Sequence, residues 1–243
     1  MKPFDVLDLK NNTIHIWVGT FDDEVKGSNK YFGLLSEDEK LRASRFRFNK
    51  DRECYVIART TLRLLLGAYL DIAPKEITFK YSEFGKPSYL QNVELDFNVS
   101  HSGNRIIIGF SREQTIGVDI EKIKTDFDPL NLAKNFFSRE EIAALSQTKE
   151  SDMFRAFYRC WTRKESFIKA VGEGLSYPLD SFAVTMDNDR QARFLKIDNT
   201  QDSKKDWRLH SFVPGEGYIA AITTDGNPEK IEYFDANDFI SWE

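Results

Sequence analysis

The stretch from about Asp152 to Val171 constrains this chain most. At 100° per residue, Phe154, Phe157, Tyr158, Trp161 and Ile168 fall on one apolar stripe. The run stops at Gly172-Glu173-Gly174, where glycine takes up the left-handed cap conformation. A long helix of this kind needs a partner surface from elsewhere in the chain. One residue does not fit the stripe chemically. Glu165 lies inside it, about 20° from Phe154 in projection. A carboxylate there is costly unless it is paired or bound to a metal. Lys169, one turn on at the edge of the stripe, supplies an i,i+4 ion pair but does not explain why the acid is central.

The rest of the chain alternates between helical and strand periodicity. Ser36 and Glu39 form a capping box that opens a helix. A second helix is expected from Lys50 to Leu70, with Tyr55, Leu62, Leu65, Leu66 and Leu70 on its apolar face. Strands are expected at Ile14–Val18, Ile77–Phe79, Leu95–Ser100, Arg105–Phe110 and Ile116–Glu121. Further on, helical segments cover Leu130–Phe137 and a short stretch from Ser138 to Leu145. Four strands are then expected near Phe182–Met186, Ala192–Ile197, Trp207–Phe212 and Tyr218–Thr223. This mixed order implies an α+β fold. No repeat is evident, and the tail after Asn227 carries no motif.

Composition narrows the function classes. The net charge of −5 over 243 residues does not indicate general nucleic-acid binding. The charge is uneven, however. Lys40, Arg42, Arg45, Arg47, Lys50, Arg52, Arg59 and Arg63 are opposed locally only by Asp51 and Glu53. Such a field suits an anionic ligand, and it also fits a solvated helix face. The cysteines Cys54 and Cys160 stand alone, which fits a reducing compartment. No apolar run reaches the roughly 20 residues that span a bilayer, and Met1-Lys2-Pro3-Phe4-Asp5 does not read as a secretion signal. A cytoplasmic protein without membrane attachment is expected.

In the strand Ile116–Glu121, side chains alternate. Ile116, Val118 and Ile120 share one face; Gly117, Asp119 and Glu121 share the other. The two acids either point to water or hold a hard cation together. With Glu165 they would make an oxygen-rich site of the kind Mg²⁺ prefers, completed by waters and substrate phosphates. Attack at a phosphoryl centre is the implied chemistry. There is no glycine-rich phosphate loop, and His15, His101 and His210 lack zinc-like spacing.

These residues, with their neighbours, resemble the Sfp-type 4′-phosphopantetheinyl transferases. The resemblance rests on Phe97-Asn98-Val99-Ser100-His101-Ser102, on Gly117-Val118-Asp119-Ile120-Glu121, and on Trp161-Thr162-Arg163-Lys164-Glu165-Ser166-Phe167-Ile168-Lys169-Ala170. Phe84-Gly85-Lys86-Pro87 and Phe136-Phe137-Ser138 also match, and the whole covers Ser36 to about Thr223. It implies two similar, pseudo-symmetric α+β halves, at 1–115 and 116–243, with the active site between them.

The implied activity is Mg²⁺-dependent transfer of the phosphopantetheine arm of coenzyme A to a serine of an apo acyl, peptidyl or aryl carrier protein. The products are the holo carrier and 3′,5′-ADP. Asp119, Glu121 and Glu165 match the metal ligands, with Mn²⁺ as the other hard ion that suits them. Glu165, Lys169 and Asp119 match the catalytic residues. Arg42, Lys86 and His101 match contacts to the 3′-phosphate end of coenzyme A, and a protonated His101 is expected to add pH dependence. Tyr81, Gly85, Pro87, Asn98 and Ser100 match walls of that pocket, and Lys169 matches a lysine reaching the pyrophosphate. Arg59 and Arg52 lie in the same basic region. The resemblance places carrier docking on segment 122–145, with Phe127, Leu130, Phe136 and Phe137 as contacts or packing residues. It implies a monomer. A non-catalytic coenzyme A-binding protein and a magnesium-dependent phosphohydrolase are the rival readings. The intact acid trio with Lys169 argues against the first, and the lack of a hydrolase motif argues against the second.

Overall fold

The computed structural model describes residues 7–21, 31–91 and 94–239. The opening stretch at 1–5 lies outside the described residues. The first half begins with β1 (Thr13–Thr20), α1 (Glu37–Ser44) and α2 (Asn49–Leu70). A short ribbon follows, β2 (Phe79–Tyr81) with β3 (Pro87–Tyr89), and then the hairpin β4 (Asp96–Ser102) and β5 (Arg105–Ser111). The second half begins with β6 (Ile116–Lys122), then α3 (Pro129–Ala133), α4 (Arg139–Ser146) and α5 (Met153–Val171). Strands β7 (Phe182–Val184), β8 (Phe194–Ile197), β9 (Arg208–Phe212), β10 (Tyr218–Thr224) and β11 (Lys230–Asp235) follow, and α6 (Ala236–Phe239) is last.

Two sheets organise the molecule. One has the order β11-β1-β5-β4, the other β6-β10-β9. Each carries its long helix on one face. Leu62, Leu65, Leu66 and Tyr69 of α2 pack against Phe97, Ile108 and Phe110. Phe157, Phe167 and Ile168 of α5 pack with Phe182, Leu209 and Ile219. The other faces meet each other, through Ile14, Ile16 and Ile107 on one side and Ile116, Val118, Ile120 and Ile222 on the other. The α+β architecture read from the sequence is the one observed. The strand expected at Ile77–Phe79 instead starts at Phe79, because Pro74–Glu76 makes a helical turn first.

The tail that showed no motif forms β11, which runs parallel to β1 in register Thr13↔Lys230 to Val18↔Asp235. The last strand of the chain thus completes the first sheet.

The seam between the halves is unusual. Strands β4 and β6 run side by side, but β4 reaches β6 with side chains. Asp96 Oδ2, Asn98 Oδ1, Ser100 Oγ and Ser102 Oγ accept the backbone N–H groups of Ile116, Val118, Ile120 and Lys122 at 2.9, 2.9, 3.3 and 3.1 Å. Alternate residues of β4 therefore form a comb that satisfies the free edge of β6, whose N–H groups would otherwise be buried without partners.

Candidate active site

Gly117 sets the distance between β6 and α5. A Cβ there would stand 2.0 Å from the Ser166 carbonyl oxygen and 2.4 Å from the Ala170 nitrogen. With no side chain in the way, the backbone of α5 lies directly on the strand, and Glu165 and Lys169 come to the same face as Asp119 and Glu121. The neighbours of Glu165 in the helix are occupied elsewhere. Lys164 is fully buried and donates to the carbonyls of Leu179 and Phe182, with Glu141 Oε2 at 2.8 Å. Arg163, equally buried, ties down Thr185, Asn188 and Ser211. Glu165 is the acid of this segment that faces the site.

Asp119 is 3 % exposed. Its Oδ1 accepts from Lys169 Nζ at 2.6 Å and from Ser100 Oγ at 2.9 Å. Its Oδ2 is buried with no hydrogen-bond partner. Glu121 Oε2 accepts from Ser102 Oγ at 2.7 Å. Burial pushes the Asp119 carboxyl up, against the pull of Lys169. Burial and the Asp119 charge raise both Glu121 and Glu165 to about 7. Three acids that repel one another, with one lysine among them, define the electrostatics of the site.

Among the described residues, no group of three or more His, Cys, Asp or Glu side chains is arranged so that it could hold a metal ion as it stands. The chemistry of the donors, rather than their present arrangement, is that of a hard-cation site. The set is all oxygen, its acids are held near one another against mutual repulsion, and the orphaned Asp119 Oδ2 lacks a partner that a cation would supply.

A second feature adjoins this cluster. A cleft of about 190 Å³ is bordered by Arg42, Arg59, Gly85, Pro87 and His101. Its apolar walls are Tyr55, Ala58, Leu62 and Val99. The mixture suits a flat heteroaromatic group with anionic substituents. Arg42 stands 5.4 Å from the centre of the Tyr55 ring. Arg59 donates to the Tyr81 hydroxyl at 3.2 Å, and its Nη1 is buried without a partner. Gly85, at φ +85°, closes a tight turn in which the Ser82 N–H donates to the Lys86 carbonyl and the Lys86 N–H donates to the Ser82 hydroxyl. On β4, Ser100 belongs to the acidic cluster and the next residue, His101, to the cleft. Strand alternation thus places the two features side by side.

Several expected contacts lie elsewhere. Lys86 Nζ points into the seam, near Asp96 Oδ2 (3.4 Å), the Ile116 carbonyl (3.2 Å) and the Ala170 carbonyl (3.3 Å). Asn98 and Ser100 serve the comb rather than the cleft. His101 is exposed at the strand end, yet the protein around it and then the Lys169 ammonium hold its pKa below the usual histidine value. Both effects favour the neutral imidazole in the free protein. Phe137 is buried against Phe157, and Phe127 and Phe136 pack partly buried on α5. The sequence reading missed Tyr55, Ala58 and Leu62 as cleft walls. Tyr55, Arg59 and Leu62 repeat at helical spacing, but the same stripe also reads as core.

Clustered carboxylates stand beside a basic cleft at the seam of two α+β halves, an arrangement suited to phosphate-bearing ligands. Comparison with known proteins agrees. Residues 115–223 match the 4′-phosphopantetheinyl transferase superfamily, and residues 26–112 match the 4′-phosphopantetheinyl transferase N-terminal family. The 4′-phosphopantetheinyl transferase HetI of Nostoc sp. is 30 % identical over 90 % of this chain and 91 % of its own length. The 4′-phosphopantetheinyl transferase Sfp of Bacillus subtilis is 31 % identical over 80 % and 84 %. A putative 4′-phosphopantetheinyl transferase of Synechocystis sp. is 34 % identical over 74 % and 73 %. The chain belongs to the 4′-phosphopantetheinyl transferase superfamily. No helix among the described residues is long and apolar enough to cross a membrane.

Proposed function

We propose that this chain transfers the 4′-phosphopantetheine arm of coenzyme A to a serine hydroxyl of an apo acyl, peptidyl or aryl carrier protein, leaving 3′,5′-ADP. The observation that carries the proposal is the adjacency of the two features on β4. The cleft offers Arg42, Arg59 and His101 to a base and a 3′-phosphate, and the next residue back opens on the acids where a pyrophosphate would lie. Asp119, Glu121 and Glu165 would hold Mg²⁺ or Mn²⁺, which when bound supplies charge neutralisation at the pyrophosphate. In this reading Arg42 and Arg59 make charge-assisted hydrogen bonds to the nucleotide phosphate. Glu165 receives the proton of the attacking serine. Lys169, relieved of its role as the counter-ion of Asp119, turns its ammonium to the departing ADP phosphate.

The partners are then coenzyme A and a carrier protein. Segment 122–145 is the carrier surface, with Phe127, Leu130 and Phe136 supporting it from below. The test is intact mass spectrometry of an apo carrier protein incubated with this protein, coenzyme A and Mg²⁺. A gain of one phosphopantetheine group, lost when EDTA is added, supports the reading. No gain with carriers from several pathways, coenzyme A binding being verified separately, would leave a non-catalytic binding protein instead.

A further inference from the structure

The comb on β4 has two kinds of tooth. Asp96 and Asn98 accept a backbone N–H from β6 and make no bond to the acids of that strand. Ser100 and Ser102 accept an N–H as well, and each also donates its hydroxyl proton to a β6 carboxylate. Ser102 is the simpler case. Its Oγ accepts from Lys122 N at 3.1 Å and donates to Glu121 Oε2 at 2.7 Å. The backbone bond fixes the direction of the hydroxyl, and the hydroxyl in turn fixes one oxygen of Glu121. A glutamate has three side-chain torsions to restrain, and α5 offers Glu121 no cation of its own, since Lys169 bonds to Asp119.

We infer that Ser102 is a positioning residue that holds Glu121 in the orientation needed to ligate a divalent cation. The inference rests on the metal reading above. It adds that the Ser-His-Ser end of β4 carries two separate tasks, with His101 facing the nucleotide cleft and Ser102 facing the second metal acid. Partners of metal ligands in other sites change affinity about 10- to 100-fold when removed.

The experiment measures Mn²⁺ binding to the full chain by calorimetry at pH 7.5, with chemical denaturation in EDTA alongside. Ser102→Ala is expected to weaken Mn²⁺ about 10-fold, and Ser102→Thr, which keeps the hydroxyl, should bind within about twofold of wild type. Asp96→Ala removes a tooth that touches no metal acid. It should lower the denaturation midpoint and leave the Mn²⁺ affinity unchanged. An affinity for Ser102→Ala equal to wild type would overturn the positioning role alone, as would equal losses in Ser102→Ala and Asp96→Ala. Absence of Mn²⁺ binding in the wild-type protein would overturn the metal reading itself, and this inference with it.

Discussion

The two halves anchor their long helices with the same device and then diverge at the next residue. In the first half the backbone N–H of Ser36 donates to Glu39, and the buried Glu39 carboxylate meets Arg63 Nε of α2 at 2.7 Å. Arg63 continues to the carbonyls of Pro74 and Ile77. In the second half the N–H of Ser138 donates to Glu141, the buried Glu141 meets Lys164 of α5 at 2.8 Å, and Lys164 continues to the carbonyls of Leu179 and Phe182. The residue after the anchor cation is Leu64 in one half and Glu165 in the other. The fifth residue after it is Ala68 in one half and Lys169 in the other. The strand under the helix differs in the same way. His15 and Trp17 of β1 share the Tyr69 hydroxyl at 2.7 and 2.9 Å, a satisfied and packed contact. At β6 the corresponding layer holds Asp119 and Glu121, with one oxygen orphaned. One scaffold is used twice. In the first copy the layer between strand and helix is hydrogen-bonded and packed, and in the second the same layer is left electrostatically unsatisfied and holds the acids of the candidate site.

That contrast is sharpest at the divergent pair. Glu165→Ala is expected to lower transfer roughly 10³-fold, measured by the rate of carrier mass gain, while the metal-free protein loses no stability at neutral pH. Leu64→Ala should do the opposite. It empties core volume at a cost of about 3 kcal/mol, measured by chemical denaturation, with little change in turnover of the folded fraction. Similar phenotypes for the two variants would break the division of labour.

The anchors should behave alike. Glu141→Ala strands the buried Lys164, and Glu39→Ala strands Arg63 together with Arg59, whose Nε lies 3.3 Å from the same carboxylate; each is expected to cost at least about 3 kcal/mol in denaturation experiments. A cost under about 1 kcal/mol in either half would mean that its carbonyl contacts alone hold the cation.

These anchors also mark the limit of what the sequence reveals. The capping boxes, the Gly172 stop of α5 and the alternation of β6 are local patterns, and all three are legible. Arg163 and Lys164 lie off the apolar stripe, yet both are fully buried, because they find partners far along the chain, among them carbonyls 15 to 25 residues away. The strand β11 was missed for a related reason. Lys230-Ile231-Glu232-Tyr233-Phe234-Asp235 is polar enough for an exposed edge, and its partner β1 lies more than 200 positions earlier. Of the site itself, the three acids and most of the basic cleft could be placed from strand and helix periodicity together with the family motifs. The comb could not, since nothing in Asn98 or Ser102 announces that a side chain will take the place of a backbone ladder.

The unsatisfied half should also show itself in pH dependence. Burial and Asp119 raise Glu121 and Glu165 to about 7, above the ordinary 4.5. A raised acid contributes stability that is present below about 4.5 and lost as pH climbs through about 7. Histidines shifted down, such as His15 and His101, act in the opposite sense at lower pH, so the informative quantity is a difference between variants. In EDTA, the stability of Glu165→Gln minus that of wild type should grow by about 2 kcal/mol between pH 5 and pH 8. Excess Mg²⁺ should erase the gain by stabilising the wild type. A flat difference would mean that the acids do not repel one another.

The smallest expected effect concerns two cations that the family resemblance groups together and the structure separates. Arg42 borders the open cleft, whereas Lys86 bonds the seam through Asp96, Ile116 and Ala170. Lys86→Met should therefore cost about 1 kcal/mol of stability and raise the KM for coenzyme A less than about threefold, since the phosphate loses no direct partner. Arg42→Met should raise that KM about tenfold, the loss of one exposed charge-assisted contact, with stability unchanged. If Lys86→Met instead matched Arg42→Met in KM and left stability alone, the ammonium would have to leave the seam when coenzyme A binds. The contacts between Lys86 and the second half would then be exchanged for the phosphate at each turnover.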